Sequence, residues 1–171
     1  RPVLRLNGHN EDYVDSKIQL NGPFTVETWI KLDPGIDNED GILGVPGGAD
    51  FNFAGRSFRV FAGQPHGDVI IANKKIEPDV WTHVAVTRDD TGQFRIYFNG
   101  EPDPAKGRAL NIAFTNLDIG RTTPAKGTAG NLAEYRIWKV ARSADEIRDT
   151  WQISLKGEKL PAGLVHYFAG G

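Results

Sequence analysis

The chain has 171 residues, 39% of them hydrophobic, and a net charge of −2 from 20 Lys and Arg against 22 Asp and Glu. The charges are interspersed, so there is no dense cationic footprint for nucleic acid. Nor is there an apolar run of roughly 18 residues to insert into a membrane. Cys is absent, which removes disulfides, thiolate catalysis and Cys-ligated zinc. The length fits one domain over residues 1–171. Met is absent even at position 1, so the expectation is a processed product or a module of a longer protein, with any targeting segment outside the sequence.

Short strands dominate, separated by turns that draw on 20 Gly and 10 Pro. Val3 to Leu6 and Tyr13-Val14 are expected to pair with the last strands. Phe24 to Ile30 alternates with period two, setting Phe24, Val26, Thr28 and Ile30 on one face and Thr25, Glu27 and Trp29 on the other. Phe51 to Phe53 and Ser57 to Phe61 flank a Gly55-Arg56 hairpin turn. Asp68 to Ala72 is a further strand. Trp81 to Thr87 and Phe94 to Phe98 form a second hairpin through Arg88 to Gln93, with Gly92 at positive φ. Leu117 to Ile119, Leu132 to Trp138 and Leu164 to Phe168 complete the set. One helix is predicted, over 143–152. Ser143 precedes Glu146 by three residues, a capping box, and Ile147 and Trp151 form its buried stripe. Segments 33–50, 62–68, 101–111 and 121–130 are rich in Gly, Pro and Asp and read as loops. The pattern defines an all-β chain, a two-sheet antiparallel jelly-roll sandwich with one short helix near the C-terminus.

A resemblance rests on six pieces in order: Phe24-Thr-Val-Glu-Thr-Trp-Ile30, Trp81-Thr-His-Val-Ala-Val-Thr87, Ile96-Tyr-Phe-Asn-Gly100, Ile119-Gly120, Gly130-Asn-Leu-Ala-Glu-Tyr-Arg-Ile-Trp138 and Ser143-Ala-Asp-Glu-Ile147. Together they resemble the laminin-G-like, pentraxin-like branch of the concanavalin A-like lectin/glucanase superfamily, from Leu4 to Phe168. The resemblance implies binding of carbohydrate or protein partners, often with calcium. It also implies a place as a module in secreted multidomain proteins, hence an extracellular or cell-surface location.

Site chemistry argues against an enzyme. The similar glycosidases carry carboxylates spaced Glu-x-Asp-x-x-Glu on one strand face, and no such run exists here. Glu27 has Trp29 where its partner would stand, and Glu11-Asp12 are adjacent. The four His, at 9, 66, 83 and 166, are scattered. Glu27, Trp29, His83, Arg95 and Tyr97 share the face opposite the core. They read as a second buried layer under a long loop, with Glu27 bonded to His83 or to backbone, in preference to a sugar platform. Trp81, Trp138 and Trp151 read as core or rim packing.

Loops are the better place for specificity. Asn52, Arg59, Gln64, His66, Asp68 and Arg121 are the candidate ligand-binding residues, because short polar groups on a rigid rim can grip sugar hydroxyls. For calcium, which wants several oxygen ligands, the candidates are Asn10, Asp12 and Glu134. Ala133 stands where the resembled pattern commonly has an Asp, and an Asx-turn cluster is the competing reading of 7–12. The sequence therefore points to a non-catalytic carbohydrate-binding module tethering a larger secreted or surface protein to a glycan. Its partners would be that glycan and the other domains of the parent chain. A protein-recognition or adhesion module on the same fold is the rival, and a glycoside hydrolase or lyase the distant one.

Overall fold

A computed structural model describes residues 2–170. In chain order its strands are β1 (Leu4–Asn7), β2 (Val14–Leu20), β3 (Phe24–Leu32), β4 (Gly41–Gly44), β5 (Asp50–Ala54), β6 (Ser57–Phe61) and β7 (Asp68–Lys75). There follow β8 (Thr82–Arg88), β9 (Phe94–Phe98), β10 (Glu101–Pro102), β11 (Phe114–Ile119) and β12 (Ala129–Trp138). The helix α1 (Ala144–Thr150) and β13 (Leu164–Phe168) close the chain. Two antiparallel sheets result. Sheet A runs β1-β12-β3-β8-β9-β10, and β13 shares with β1 the outer edge of β12. Sheet B runs β2-β11-β4-β5-β6-β7.

The period-two pattern decides what lies between the sheets. Phe24, Val26 and Ile30 of β3, Val84 and Val86 of β8, and Phe94 and Ile96 of β9 are buried against Phe51 and Phe53 of β5, Phe58 and Val60 of β6, and Phe114 of β11. Burying each such side chain stabilises the fold by roughly 1.5–3 kcal/mol. Phe24, Phe51, Phe94 and Phe114 meet mostly edge to face, with centroids 5.8–6.4 Å apart, the arrangement that aromatic quadrupoles favour.

Arg88 closes this aromatic cluster. It belongs to β8 and not to the following turn, and it is fully buried. Its guanidinium carbon lies 4.9 Å from the Phe24 ring centroid and 5.3 Å from that of Phe114. Its N–H groups donate to the carbonyls of Gly22 at 2.8 Å and Ile112 at 2.7 Å. Burial pulls the guanidinium pKa below its ordinary value.

The structure corrects several expectations. Val14 pairs with Ile119 of β11 in sheet B, not with the last strands. β2 continues to Leu20, an extension hidden in the sequence by Lys17 at φ +48° and by irregular pairing with β11. β4 lies inside the 33–50 segment, where Gly41 and Gly44 masked a buried Ile-Leu pair. β10 falls in 101–111, and β12 starts at Ala129. The hairpin turn at Gly55, the positive φ of Gly92 and the helix with its capping box stand as expected.

Candidate functional site

The outer faces of the two sheets differ. On sheet A, α1 and the chain after it cover β3, β8, β9 and β12. Ile147 packs on Ala85 and Tyr97, and Trp151 lies 5.3 Å from Trp29 and 6.0 Å from His83 between ring centroids. Beneath this cover is the expected second layer without Arg95, which is exposed and pairs with Asp89 at 3.0 Å. The Trp138 indole N–H donates to Glu27 Oε2 at 2.8 Å. Glu27 Oε1 stands 3.3 Å from His83 Nε2 and 3.6 Å from the Arg136 guanidinium, close for charge attraction but without a well-aligned hydrogen bond. Burial pushes the Glu27 carboxyl up. Its contact with His83 and the positive charges of Arg136 and Arg142 outweigh that and hold it below the ordinary carboxylate range.

Arg136 also reaches Glu134 at 3.0 Å and donates to the carbonyls of Thr150 and Ile153. Glu134, at φ +49° in an irregular stretch of β12, accepts from Leu155 N at 2.9 Å, Ser154 Oγ at 3.1 Å and the Tyr167 hydroxyl at 2.6 Å. Burial raises its carboxyl, and these donors together bring it below its ordinary value. Tyr167, partly buried beside that carboxylate, is pushed up to about 12. Glu134 is thus consumed as an acceptor that holds the cover in place, and Glu27 braces Trp138 beneath it.

The calcium candidates Asn10, Asp12 and Glu134 are therefore not one donor set. Ala129 of β12 pairs with Asn7, and Glu134 lies five residues farther along, roughly 16 Å at strand rise. Asp12 Oδ2 accepts from Asn7 N at 3.1 Å within the loop, and Asn10 donates to the Pro124 carbonyl at 2.9 Å, a bond across to a distant loop and not an Asx-turn. Among the described residues no group of three or more His, Asp or Glu side chains is placed to hold an ion. The residues present do not fit calcium at the predicted place.

Sheet B keeps an open outer face. Asn52 and Arg59 are cross-strand partners on β5 and β6, pointing away from the phenylalanines that flank them. Arg59 donates from Nε to Asn52 Oδ1 at 3.0 Å and faces Asp68 of β7 at 3.5 Å; Asn52 donates to the Asn38 carbonyl at 3.0 Å. The Arg59 side chain is 19% exposed and that of Asp68 is 44% exposed, so a ligand can reach the ion pair from solvent. Gln64 and His66 are exposed on the loop joining β6 to β7. That loop is closed by Ala62 N to Gly67 O at 2.8 Å and Gly67 N to Gly63 O at 2.9 Å. Arg108 straps it from outside, donating to the carbonyls of His66 and Asp68. Five predicted ligand residues, Asn52, Arg59, Gln64, His66 and Asp68, thus come to one end of the β5-β6-β7 face. Arg121 does not join them. It lies across β4, where its guanidinium sits 4.1 Å from the Tyr13 ring centroid and 3.5 Å from Asp118.

Sequence reasoning missed two residues of this face. Arg108 lay in a segment with no patterned neighbours. Asp50, next to the expected strand, is 8% exposed, and its Oδ1 has no hydrogen-bond partner. Its only relief is the charge of Arg59, and burial pushes its carboxyl up to about 8. The oxygen fits because Gly44 has no side chain; a Cβ there would lie 2.2 Å from Asp50 Oδ1.

Of the three tryptophans read as core or rim packing, Trp138 is buried and Trp151 half-buried, while Trp81 is 38% exposed. Trp81 lines, with Val3, Trp29 and Ala133, an apolar cleft of about 390 Å³ on the part of sheet A beyond α1.

A two-layer jelly roll with one face sealed by a helix and the other presenting a polar strip has the form of a lectin-like binding scaffold. The chain belongs to the laminin-G-type family of the concanavalin A-like lectin/glucanases superfamily, whose profile matches residues 8–148. Comparison with curated proteins gave no match. Among solved structures, the chain is similar to a candidate carbohydrate-binding protein of Bacteroides ovatus, with 22% identity and a TM-score of 0.69. The match covers 97% of this chain and 52% of that one, so the chain spans about half the length of that protein. A heptameric SAP-like pentraxin of Limulus polyphemus matches at 13% identity and TM-score 0.65, over 91% of this chain and 84% of that one. Domain 4 of an extracellular arabinanase of Geobacillus stearothermophilus, solved with arabinotriose, matches at 18% and 0.61, over 86% and 85%. At these identities the likeness is one of fold.

Proposed function

We propose that the chain is a non-catalytic carbohydrate-binding module that tethers a larger secreted or surface protein to a glycan, and that the outer face of sheet B around Arg59 and Asp68 is where the glycan docks. The carrying observation is the solvent-reachable Arg59–Asp68 pair beside a strapped loop bearing Gln64 and His66. Donor and acceptor groups held rigidly in this way match a hydroxyl-rich ligand without ordering cost. The likeness to a candidate carbohydrate-binding protein of Bacteroides ovatus and the arabinotriose held by the arabinanase domain support the same reading. The face is shallow, so one module should bind with a dissociation constant on the order of micromolar to millimolar, and multivalency would supply retention.

A glycan-array screen of the wild type against Arg59→Ala and Asp68→Ala tests this. Binding lost in both variants at unchanged melting temperature is the expected result. The adhesion rival draws on the Trp81 cleft and its exposed neighbour Val80. Glycan binding absent throughout, with a protein partner whose capture fails in Trp81→Ala, would replace the glycan reading with that one.

A further inference from the structure

We infer that the Arg59–Asp68 face takes an uncharged glycan, reading two neighbouring hydroxyls of one sugar ring; this rests on the glycan-binding reading above. The argument is one of donors and acceptors. Asp68 offers acceptor oxygens and Arg59 offers N–H donors, and they stand 3.5 Å apart, looser than a good charge-assisted bond of about 2.7–2.9 Å. A hydroxyl both donates and accepts, so a pair of adjacent hydroxyls satisfies both groups at once. A carboxylate or sulfate only accepts. It would take the donors of Arg59 and leave Asp68, an acceptor, facing it with nothing to receive.

The remaining charge nearby does not alter this. Arg59 Nε is spent on Asn52, and Arg108 is directed at the main-chain oxygens of His66 and Asp68. Burial pushes the Asp50 carboxyl up to about 8, so near neutral pH Asp68 alone offsets Arg59, while the charge of Arg108 lies on the carbonyls of the strap. The pair also has firm support. Asn52, buried, fixes Arg59 from below, and the loop hydrogen bonds fix Asp68 from the side.

Affinity electrophoresis in gels holding arabinan, mixed-linkage β-glucan or galactomannan, beside gels holding polygalacturonate, alginate or chondroitin sulfate, tests the inference. Each gel is run at about 50 and 500 mM salt, where screening separates charge attraction from hydroxyl contacts. The expected result is retardation by at least one uncharged polymer, unaltered by salt. Asp68→Asn, isosteric and exposed, should weaken it about tenfold. Retardation by the acidic polymers alone, lost at high salt, would overturn the ligand class and leave the glycan reading standing. Retardation by none of the six would overturn both. Retardation by an uncharged polymer that persists in Asp68→Asn but vanishes in Trp81→Ala would move the site to the cleft on sheet A and overturn this inference.

Discussion

Among the carboxylates buried in this sandwich, Glu27 on the outer face of sheet A and Asp50 on that of sheet B are treated in opposite ways. Glu27 on sheet A has an indole N–H on one oxygen, His83 and Arg136 beside the other, and α1 with the chain after it as cover. Its carboxyl is held below the ordinary range despite burial. Asp50 on sheet B is almost as deeply buried and, like Glu27, has an oxygen without a hydrogen bond, but Arg59 is the one charge that relieves it, and its carboxyl is pushed up to about 8. The difference teaches that burial alone does not mark a structural charge. A buried carboxylate surrounded by donors is a brace, and one left without them belongs to a surface that was not built only for stability.

The largest test of this contrast is Glu27→Ala. It strands the Trp138 N–H and leaves the Arg136 charge with one partner fewer, so we expect a loss of about 3–5 kcal/mol in a denaturant melt at pH 7. Because the folded carboxyl lies below its unfolded value of 4.5, its contribution is complete above that value and fades as pH falls through it. A melt of Glu27→Ala that matches the wild type at pH 7 would remove the brace from the account.

Asp50→Asn should act in the other direction. The folded carboxyl lies above its unfolded value of 3.8, so its share of stability is full below that value, declines as pH rises, and is gone above about 8. The wild type should therefore lose stability between pH 4 and 8 at this site. Asp50→Asn should be flatter across that range and more stable at pH 9 by on the order of 1–3 kcal/mol. A parallel pH curve for the two proteins would count against a strained Asp50.

Smaller effects sharpen the boundary between the faces. Ser143 Oγ accepts from Glu146 N at 3.1 Å, and Glu146 returns the bond to Ser143 N at 3.0 Å. Ser143→Ala should cost about 1 kcal/mol and leave glycan retardation unchanged, since it loosens the cover of sheet A alone. Smallest of all, excess calcium or chelator should leave the melting temperature where it is, because Asn10, Asp12 and Glu134 do not converge. A rise with calcium would reveal a native-state ion site elsewhere.

Period-two patterning made most of the strands legible, and the Ser143–Glu146 spacing made the helix so. Glu27 was readable as structural because a lone carboxylate between Val26 and Thr28 must find donors. What was not legible depended on partners far away in sequence. Glu134 looked like a free oxygen donor until Tyr167 and the 154–155 turn were placed on it. Arg88 looked like a turn residue because nothing local reveals the carbonyls of Gly22 and Ile112 that receive it. Asn52, Arg59 and Asp68 were each plausible alone, but only strand register puts them side by side. Asp50 gave no signal, since its lack of a partner is a property of the packed sheet and of Gly44.

The shared edge of β12 has a mechanical consequence. β1 and β13 lie end to end along it, and Leu4, pairing with Leu132, enters next to where Phe168, pairing with Tyr135, leaves. A pulling force applied at those two residues would meet the sheet at the middle of one strand. It would part the hydrogen-bonded pairs in succession, outward in both directions, and would not shear them all together. Under tension this domain should open like two zippers from a common point, at low force, with the Arg59–Asp68 face on the opposite sheet the last to feel it.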